Sequence, residues 1–205
     1  LRGVYEGKSE ILEDVVGRGG IGVVPSDSNW TQCWKSDFAS AFSQGRMFTF
    51  GTHEGDLARV SGIKASAEGI SFTISACGKS FDAALPLLGA HNAMNAAAAC
   101  ALALVTGAPF EALKAGLERG APMKGRLFLQ SHGDLSLIDD AYNASYNAVI
   151  AALDVLSGIP GRRIMAFGDM GELGNEAEEL HAKVGEHARG RCDAFLCAGP
   201  LAKAA

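Results

Sequence analysis

The chain has 205 residues, 48% of them hydrophobic and 20% charged, a balance that excludes a disordered tail, a collagen-like repeat and a coiled coil. Its 18 basic and 23 acidic side chains leave a formal charge of −5, so no global basic field holds a polyanion, and nucleic acid is not an expected partner. A globular chain of this mass should expose about 9,000 Å² when folded, which leaves enough burial for one or two cores.

In chain order, the apolar positions of Gly3 to Val16 predict a short amphipathic helix, ended by Gly17 to Gly20. Ile21 to Val24 predicts a buried strand closed by Pro25, and Ser26 to Asn29 should cap a helix running through Ser43. Met47 to Phe50 follows as a strand. Leu57 to Ile63, Ile70 to Ala76 and Ser80 to Leu87 alternate between Gly breaks and predict an antiparallel meander. Asn92 to Val105 is small or apolar at nearly every position, so a helix buried on most of its surface is expected, with a second helix at Phe110 to Arg119.

Gly120 to Gly125 breaks the periodicity, and a domain boundary is placed near residue 121, dividing the chain into 1–120 and 121–205. Beyond it come strands at Leu127 to Gln130 and Leu135 to Ile138, a helix at Asn147 to Ser157, and a strand at Arg163 to Phe167. A helix at Glu176 to Arg189 and a strand at Ala194 to Cys197 complete the series. This exchange predicts an α/β fold with parallel, Rossmann-like pairing. The chain starts at Leu1 and stops just after a strand, so an internal piece of a longer protein is expected. Apolar runs such as Ala96 to Val105 fall short of the ~20 residues that span a bilayer, and no signal peptide opens the chain, which fits a cytoplasmic protein. Five cysteines with no CxxC spacing read as small buried hydrophobes.

Ligands of open α/β sheets collect at the carboxyl ends of strands, and two strands here end in acids. One stops at Asp139-Asp140, beside Tyr142 and Asn143; the other stops at Gly168-Asp169, with Glu172 close behind. A single such Asp serves as well for a helix cap, but two together favour a polar site. Asn92 and Asn95, after His91, share one face at the first turn of the alanine-rich helix, where an amide can match the donor and acceptor edge of a purine. Either could equally be an N-cap. Arg126, just past the boundary, can clamp a phosphate with its planar fork or make a surface ion pair. Lys8 reads as a solvated lysine, and His181, following Glu178 and Glu179, is ambiguous. HExxH and GxSxG are absent from the sequence, which disfavours zinc hydrolases and serine esterases.

The segments LLGAHNAMNAAAACALAL, MKGRL, LIDDAYNAS and GDMGELGNEAEELHAKVGEHA, with a weaker match at YEGKSEIL, resemble the Mur ligase family, in its D-alanyl-D-alanine-adding branch. The resemblance implies the C-terminal half of a central ATPase domain followed by an incomplete Rossmann-like C-terminal domain. It implies ATP-dependent amide bond formation between UDP-N-acetylmuramoyl-tripeptide and D-alanyl-D-alanine through an acyl phosphate, in a monomer acting in peptidoglycan precursor synthesis.

By motif, Lys8 resembles the lysine that is carbamylated to help position Mg2+, and His91, Asn92 and Asn95 resemble the adenine-facing helix start. Arg126 resembles the interdomain arginine near the ATP phosphates, and Asp139 and Asp140 resemble the acidic loop that meets the nucleotide. Tyr142, Asn143, Asp169 and Glu172 fall in the loops near the incoming substrate. The sequence departs from the pattern at Tyr146, where the family usually has proline. It also contains no G-x-x-x-x-G-K-[ST] phosphate loop, so the piece on its own is expected to be inactive. The competing readings are a related amide ligase, such as one extending folate with glutamate, and a non-catalytic nucleotide- or peptide-binding module.

Overall fold

The opening segment places Tyr5, Ser9, Leu12 and Val16 at helical spacing, and in the computed structural model, which describes residues 2–205, it forms helix α1 (Arg2–Gly17). The chain divides into two compact units. The first runs to Lys64 and adds Ser71–Leu85 and Asn92–Arg119; the second holds Ala65–Ile70, Pro86–His91 and Gly120–Ala205.

Strands β1 (Gly22–Pro25), β2 (Met47–Gly51), β3 (Ala58–Ser66), β4 (Gly69–Ala76) and β5 (Lys79–Leu85) lie side by side in that order. β1 and β2 pair in parallel, Val23 opposite Phe48, as do β2 and β3, Phe50 opposite Ala58. β4 returns to β5 through Cys77 and Gly78, with φ of 52° and 71°, the two-residue turn whose twist suits a hairpin.

The single helix expected through Ser43 is two, α2 (Thr31–Asp37) and α3 (Ala39–Ser43). The break falls at Phe38, which is buried with Tyr5, Val24, Trp34, Ala41 and Met47, so packing overrides helical continuity. Trp30 takes the N-cap position without a side-chain bond of its own, and within Ser26 to Asn29 it is Ser28 that serves the helix start, its Oγ accepting the Trp30 amide at 3.2 Å. The Ser26 hydroxyl donates to Asp56, and Asp27 accepts from Thr52, tying the end of β1 to the loop after β2.

Helix α4 (His91–Val105) buries Ala93, Ala96, Ala97, Cys100 and Ala101, a single stripe. Asn95 and Ala99 are exposed and Leu102 is 53% exposed, so the expectation of burial on most of its surface is not met. Helix α5 (Phe110–Glu118) sets Phe110 edge-on to Phe81, 5.5 Å between centroids, and Glu111 2.6 Å from the Lys79 ammonium.

In the second unit, β6 (Phe128–His132) and β7 (Leu135–Asp139) pair antiparallel, correcting the parallel pairing expected there. Only Gly133 and Asp134 join them, and a parallel crossover needs a dozen residues or more. Helix α6 (Tyr146–Ser157) leads to β8 (Ile164–Gly168), and α7 (Ala177–Ala188) crosses over to β9 (Ala194–Ala198), which pairs in parallel with β8. Tyr146 is the first residue of α6, behind an extended Ser145, the position where proline is well tolerated. Val149, Leu153, Phe167, Met170, Val184, Ala188 and Ala202 form the core of this unit.

The described residues expose 12117 Å², above the expectation, and Val4, Ile11, Leu135, Leu137 and Leu196 are among the large hydrophobic side chains open to solvent. Of the five free cysteines only Cys100 is buried; Cys77 and Cys197 are exposed, correcting their reading as core residues. Among the described residues, no helix is long and apolar enough to cross a membrane.

Candidate functional site

The carboxyl end of β7 gathers Arg126, Asp139 and Asp140, three of the charged residues singled out in the sequence. Gly125 has a φ of 76°, and a Cβ there would come to 3.0 Å from that of Tyr142, so a side chain is excluded twice over. The Tyr142 amide donates to the Gly125 carbonyl at 3.2 Å. Leu127, with a φ of 47°, also sits in the left-handed region, where a residue with a Cβ is unfavourable. Two things hold it: the Asp140 Oδ1, which accepts its amide at 3.0 Å, and a buried contact with Leu88 and Ala152.

These constraints display Arg126 on the surface, its guanidinium 4.4 Å from the centroid of the exposed Tyr142 ring. Burial pushes the Asp140 carboxyl above its ordinary range, against the opposing pull of the Leu127 amide, Arg126 and His91. Burial lowers His91, while the Asp140 charge works to raise it. Asp139 Oδ1 accepts the Ala141 amide at 3.1 Å, its charge adding to the upward push on Asp140, and Asn143 is exposed two residues further on. His91, Arg126, Asp139, Asp140 and Tyr142 thus form one polar cluster.

A second loop follows β8. Asp169 Oδ1 accepts the amides of Leu201 and Ala202 at 3.0 and 2.7 Å, capping the short 3-10 turn Ala202–Ala204. A Cβ on Gly199 would overlap this carboxylate. Met170 is buried, and its amide donates to Nε2 of His181 at 2.9 Å. Glu172 is exposed with a φ of 60°, a backbone state that persists in a non-glycine residue only when its surroundings over-determine it.

In the first unit, the Asn95 amide donates to the Asn92 Oδ1 at 3.1 Å, so the two side chains form one joined amide edge at the start of α4. Lys8 is exposed on α1, whose buried face is fixed by Tyr5 and Ser9. The Tyr5 hydroxyl donates to Asp37 at 2.5 Å, and Ser9 Oγ accepts the Trp34 indole N–H at 3.1 Å. Burial, followed by the Asp37 carboxylate, pushes the Tyr5 phenol up.

Among the described residues, no three His, Cys, Asp or Glu side chains converge to hold a metal, so these residues do not make a magnesium centre by themselves. An open depression of about 370 Å³ between Glu54, Arg59, Cys77 and Lys79 contains none of the residues predicted from sequence.

Sequence reasoning missed the part played by His181. It lies in one stripe with Val184 and Ala188, and that spacing was the available signal. Reading the two preceding acids obscured it. It also missed Gly125 and Leu127, whose conformations depend on partners distant in the chain.

Family models match both halves: the Mur ligase middle domain at residues 1–103 and the Mur ligase, glutamate ligase domain at residues 125–205. UDP-N-acetylmuramoyl-tripeptide–D-alanyl-D-alanine ligase of Escherichia coli (strain K12) is 37% identical over 191 residues, 92% of this chain and 41% of that protein. The crystal structure of MurF from Acinetobacter baumannii superposes with a TM-score of 0.81 at 29% identity, covering 90% of this chain and 40% of that one. MurF ligase from Thermotoga maritima, solved in complex with ADP, shares the fold at a TM-score of 0.74 and 21% identity, with coverages of 90% and 42%. The chain therefore spans about two fifths of the length of these relatives.

Proposed function

The chain belongs to the Mur ligase family, and on that premise we propose that it is part of a ligase joining D-alanyl-D-alanine to UDP-N-acetylmuramoyl-tripeptide, driven by ATP. In this reading residues 1–120 are the latter part of the central domain and 121–205 the first part of the C-terminal one, in a cytoplasmic, monomeric enzyme of peptidoglycan synthesis.

The tripeptide carboxylate attacks the γ-phosphorus of ATP, ADP departs, and an acyl phosphate forms. The amine of D-alanyl-D-alanine then attacks the acyl carbon, inorganic phosphate leaves, and the amine gives up a proton. The difficulty lies in bringing two anions together, and a fixed cation aimed at the developing charge lowers that barrier. Arg126 carries this reading, because it is the exposed guanidinium displayed on Tyr142 beside Asp139 and Asp140. A planar fork held on an aromatic face suits a phosphate better than a mobile lysine does.

His91, Asn92 and Asn95 meet the nucleotide base, and Asp139 and Asp140 face the nucleotide. Asn143, Asp169 and Glu172 serve the incoming dipeptide. Since Asp169 Oδ1 already accepts two backbone amides, its part there falls to Oδ2 or to the loop conformation it fixes. Magnesium enters this reading only through Lys8, whose carbamate would add one anionic oxygen ligand in place of an ammonium. The chain alone, with no G-x-x-x-x-G-K-[ST] segment, does not turn over ATP.

The test is phosphate release by the full-length protein, dependent on both the tripeptide precursor and D-alanyl-D-alanine. Replacing Asn92 and Arg126 together should abolish it. Full activity in that double variant would defeat the assignment of the nucleotide site.

A further inference from the structure

We propose that His181 is a positioning residue that sets the loop between Gly168 and Gly174, and so holds Glu172 where it meets the incoming dipeptide. The proposal rests on the reading of that loop as part of the D-alanyl-D-alanine site.

His181 is fully buried, at 0% exposure, within the core of the second unit, its ring 5.6 Å from that of Phe167. Both ring nitrogens are bonded. Nδ1 lies 2.6 Å from the Ala177 carbonyl oxygen, one turn back on α7. A carbonyl can only accept, so Nδ1 carries the proton. Nε2 then presents its lone pair to the Met170 amide, 2.9 Å away. A single neutral tautomer satisfies both contacts, and each fixes the other.

The consequence reaches the loop through the backbone. Met170 is anchored at its amide by His181 and at its side chain by the core, while its neighbour Asp169 caps the turn after β9. Two residues beyond Met170, the chain must pass through the left-handed conformation of Glu172. A Cβ built on Gly171 would meet nothing within 4 Å, so no packing holds the chain at that residue and the anchor at Met170 is what transmits order to Glu172. A carboxylate held this way can meet the ammonium of a dipeptide without first losing conformational freedom.

The experiment compares His181→Gln with His181→Asn in the full-length ligase. The Gln amide extends far enough to place an oxygen near the Nε2 position, so it can still accept from Met170. The Asn amide reaches only the Nδ1 position and keeps the Ala177 contact alone. His181→Asn should raise KM for D-alanyl-D-alanine about tenfold, the scale of one lost buried hydrogen bond, while KM for ATP stays within about twofold. His181→Gln should stay within about threefold of the parent in both.

Equal behaviour of the two variants, or a parallel rise in both KM values, overturns the proposal. Amide hydrogen exchange in the unsubstituted protein gives an arm independent of variant folding: Met170 should exchange as slowly as the amides of β8, and fast exchange there overturns the proposal too. The two readings fail separately. Absence of D-alanyl-D-alanine-dependent phosphate release from the unsubstituted protein sinks the ligase reading. Normal turnover with indistinguishable Asn and Gln variants sinks only the role of His181.

Discussion

The guanidinium of Arg126 lies 4.4 Å from the ring centroid of Tyr142, and Gly125, one residue before Arg126, accepts the Tyr142 amide. The ring therefore serves as a rest for the cation rather than as a free aromatic surface. An exposed cation–π contact contributes about 0.5–1 kcal/mol, so Tyr142→Ala should raise KM for ATP in the full-length ligase about two- to fivefold. Tyr142→Phe keeps the ring face and should leave KM unchanged. Should Phe prove as damaging as Ala, the hydroxyl is what matters and the stacking account fails.

Asp140 and His91 are coupled with opposite signs, and a titration can read both. The native His91 titrates below its ordinary 6.5 because of burial, with Asp140 pulling it back up. Asp140→Asn keeps an acceptor for the Leu127 amide and removes the charge, so the His91 midpoint, followed by NMR of the ring protons, should move further down. An upward shift contradicts the assignment. For stability, the unfolded chain takes up a proton at His91 before the native one does, so stability is lost as pH falls below 6.5. Asp140 works the other way: its native carboxyl sits above the usual 3.8 and protonates first, returning stability between its raised value and 3.8. In Asp140→Asn that acid-side recovery should vanish from a plot of Tm against pH.

Periodicity made much of the fold legible: α1, α6 and α7 and the hairpins of β3, β4 and β5 stand where their alternation places them. What it could not give was the partner of each face. Beyond Asn95 the alanine-rich α4 is apolar throughout, so only Asn95, two turns earlier on the same face, marks Leu102 as solvent-facing. The break at Phe38 carries no Gly or Pro; it arises because the ring is drawn into a core assembled from α1, β1 and β2. The antiparallel pairing of β6 and β7 was readable from their two-residue connection, a local signal outweighed by the alternation of strands and helices around it. At the site, residue types identified Arg126 and Asp140, but the stack on Tyr142 and the bond to Leu127 exist only once the chain has folded.

Cysteine chemistry should follow exposure. Burial pushes the Cys100 thiol up to about 11, so at neutral pH it is a protonated core group, whereas Cys77 and Cys197 are exposed. Brief treatment with an alkylating reagent under native conditions should label Cys77 and Cys197 and leave Cys100 untouched until denaturant is added; early labelling at Cys100 contradicts the packing of α4. Cys77 also occupies a left-handed turn position, with a φ of 52°, that Asn adopts more readily. Cys77→Asn should therefore raise stability by about 0.5 kcal/mol, visible as a higher denaturant midpoint with an unchanged slope.

Ser9 and Lys8 are adjacent on α1 but face opposite fates, which separates structure from chemistry at the helix. Ser9 Oγ accepts the buried Trp34 indole N–H, so Ser9→Ala strands that donor and should cost about 1–3 kcal/mol of stability. Turnover per folded molecule should stay as it is, because Ser9 is buried in the core. Lys8 is exposed, so Lys8→Ala should leave Tm within about 1 °C, as surface substitutions ordinarily do. Its turnover in the full-length ligase should collapse, with partial recovery on adding a short carboxylate that supplies the missing anionic oxygen. Undiminished turnover in Lys8→Ala returns the residue to the solvated face of its helix, and a fall in Tm equal to that of Ser9→Ala would assign it to packing instead.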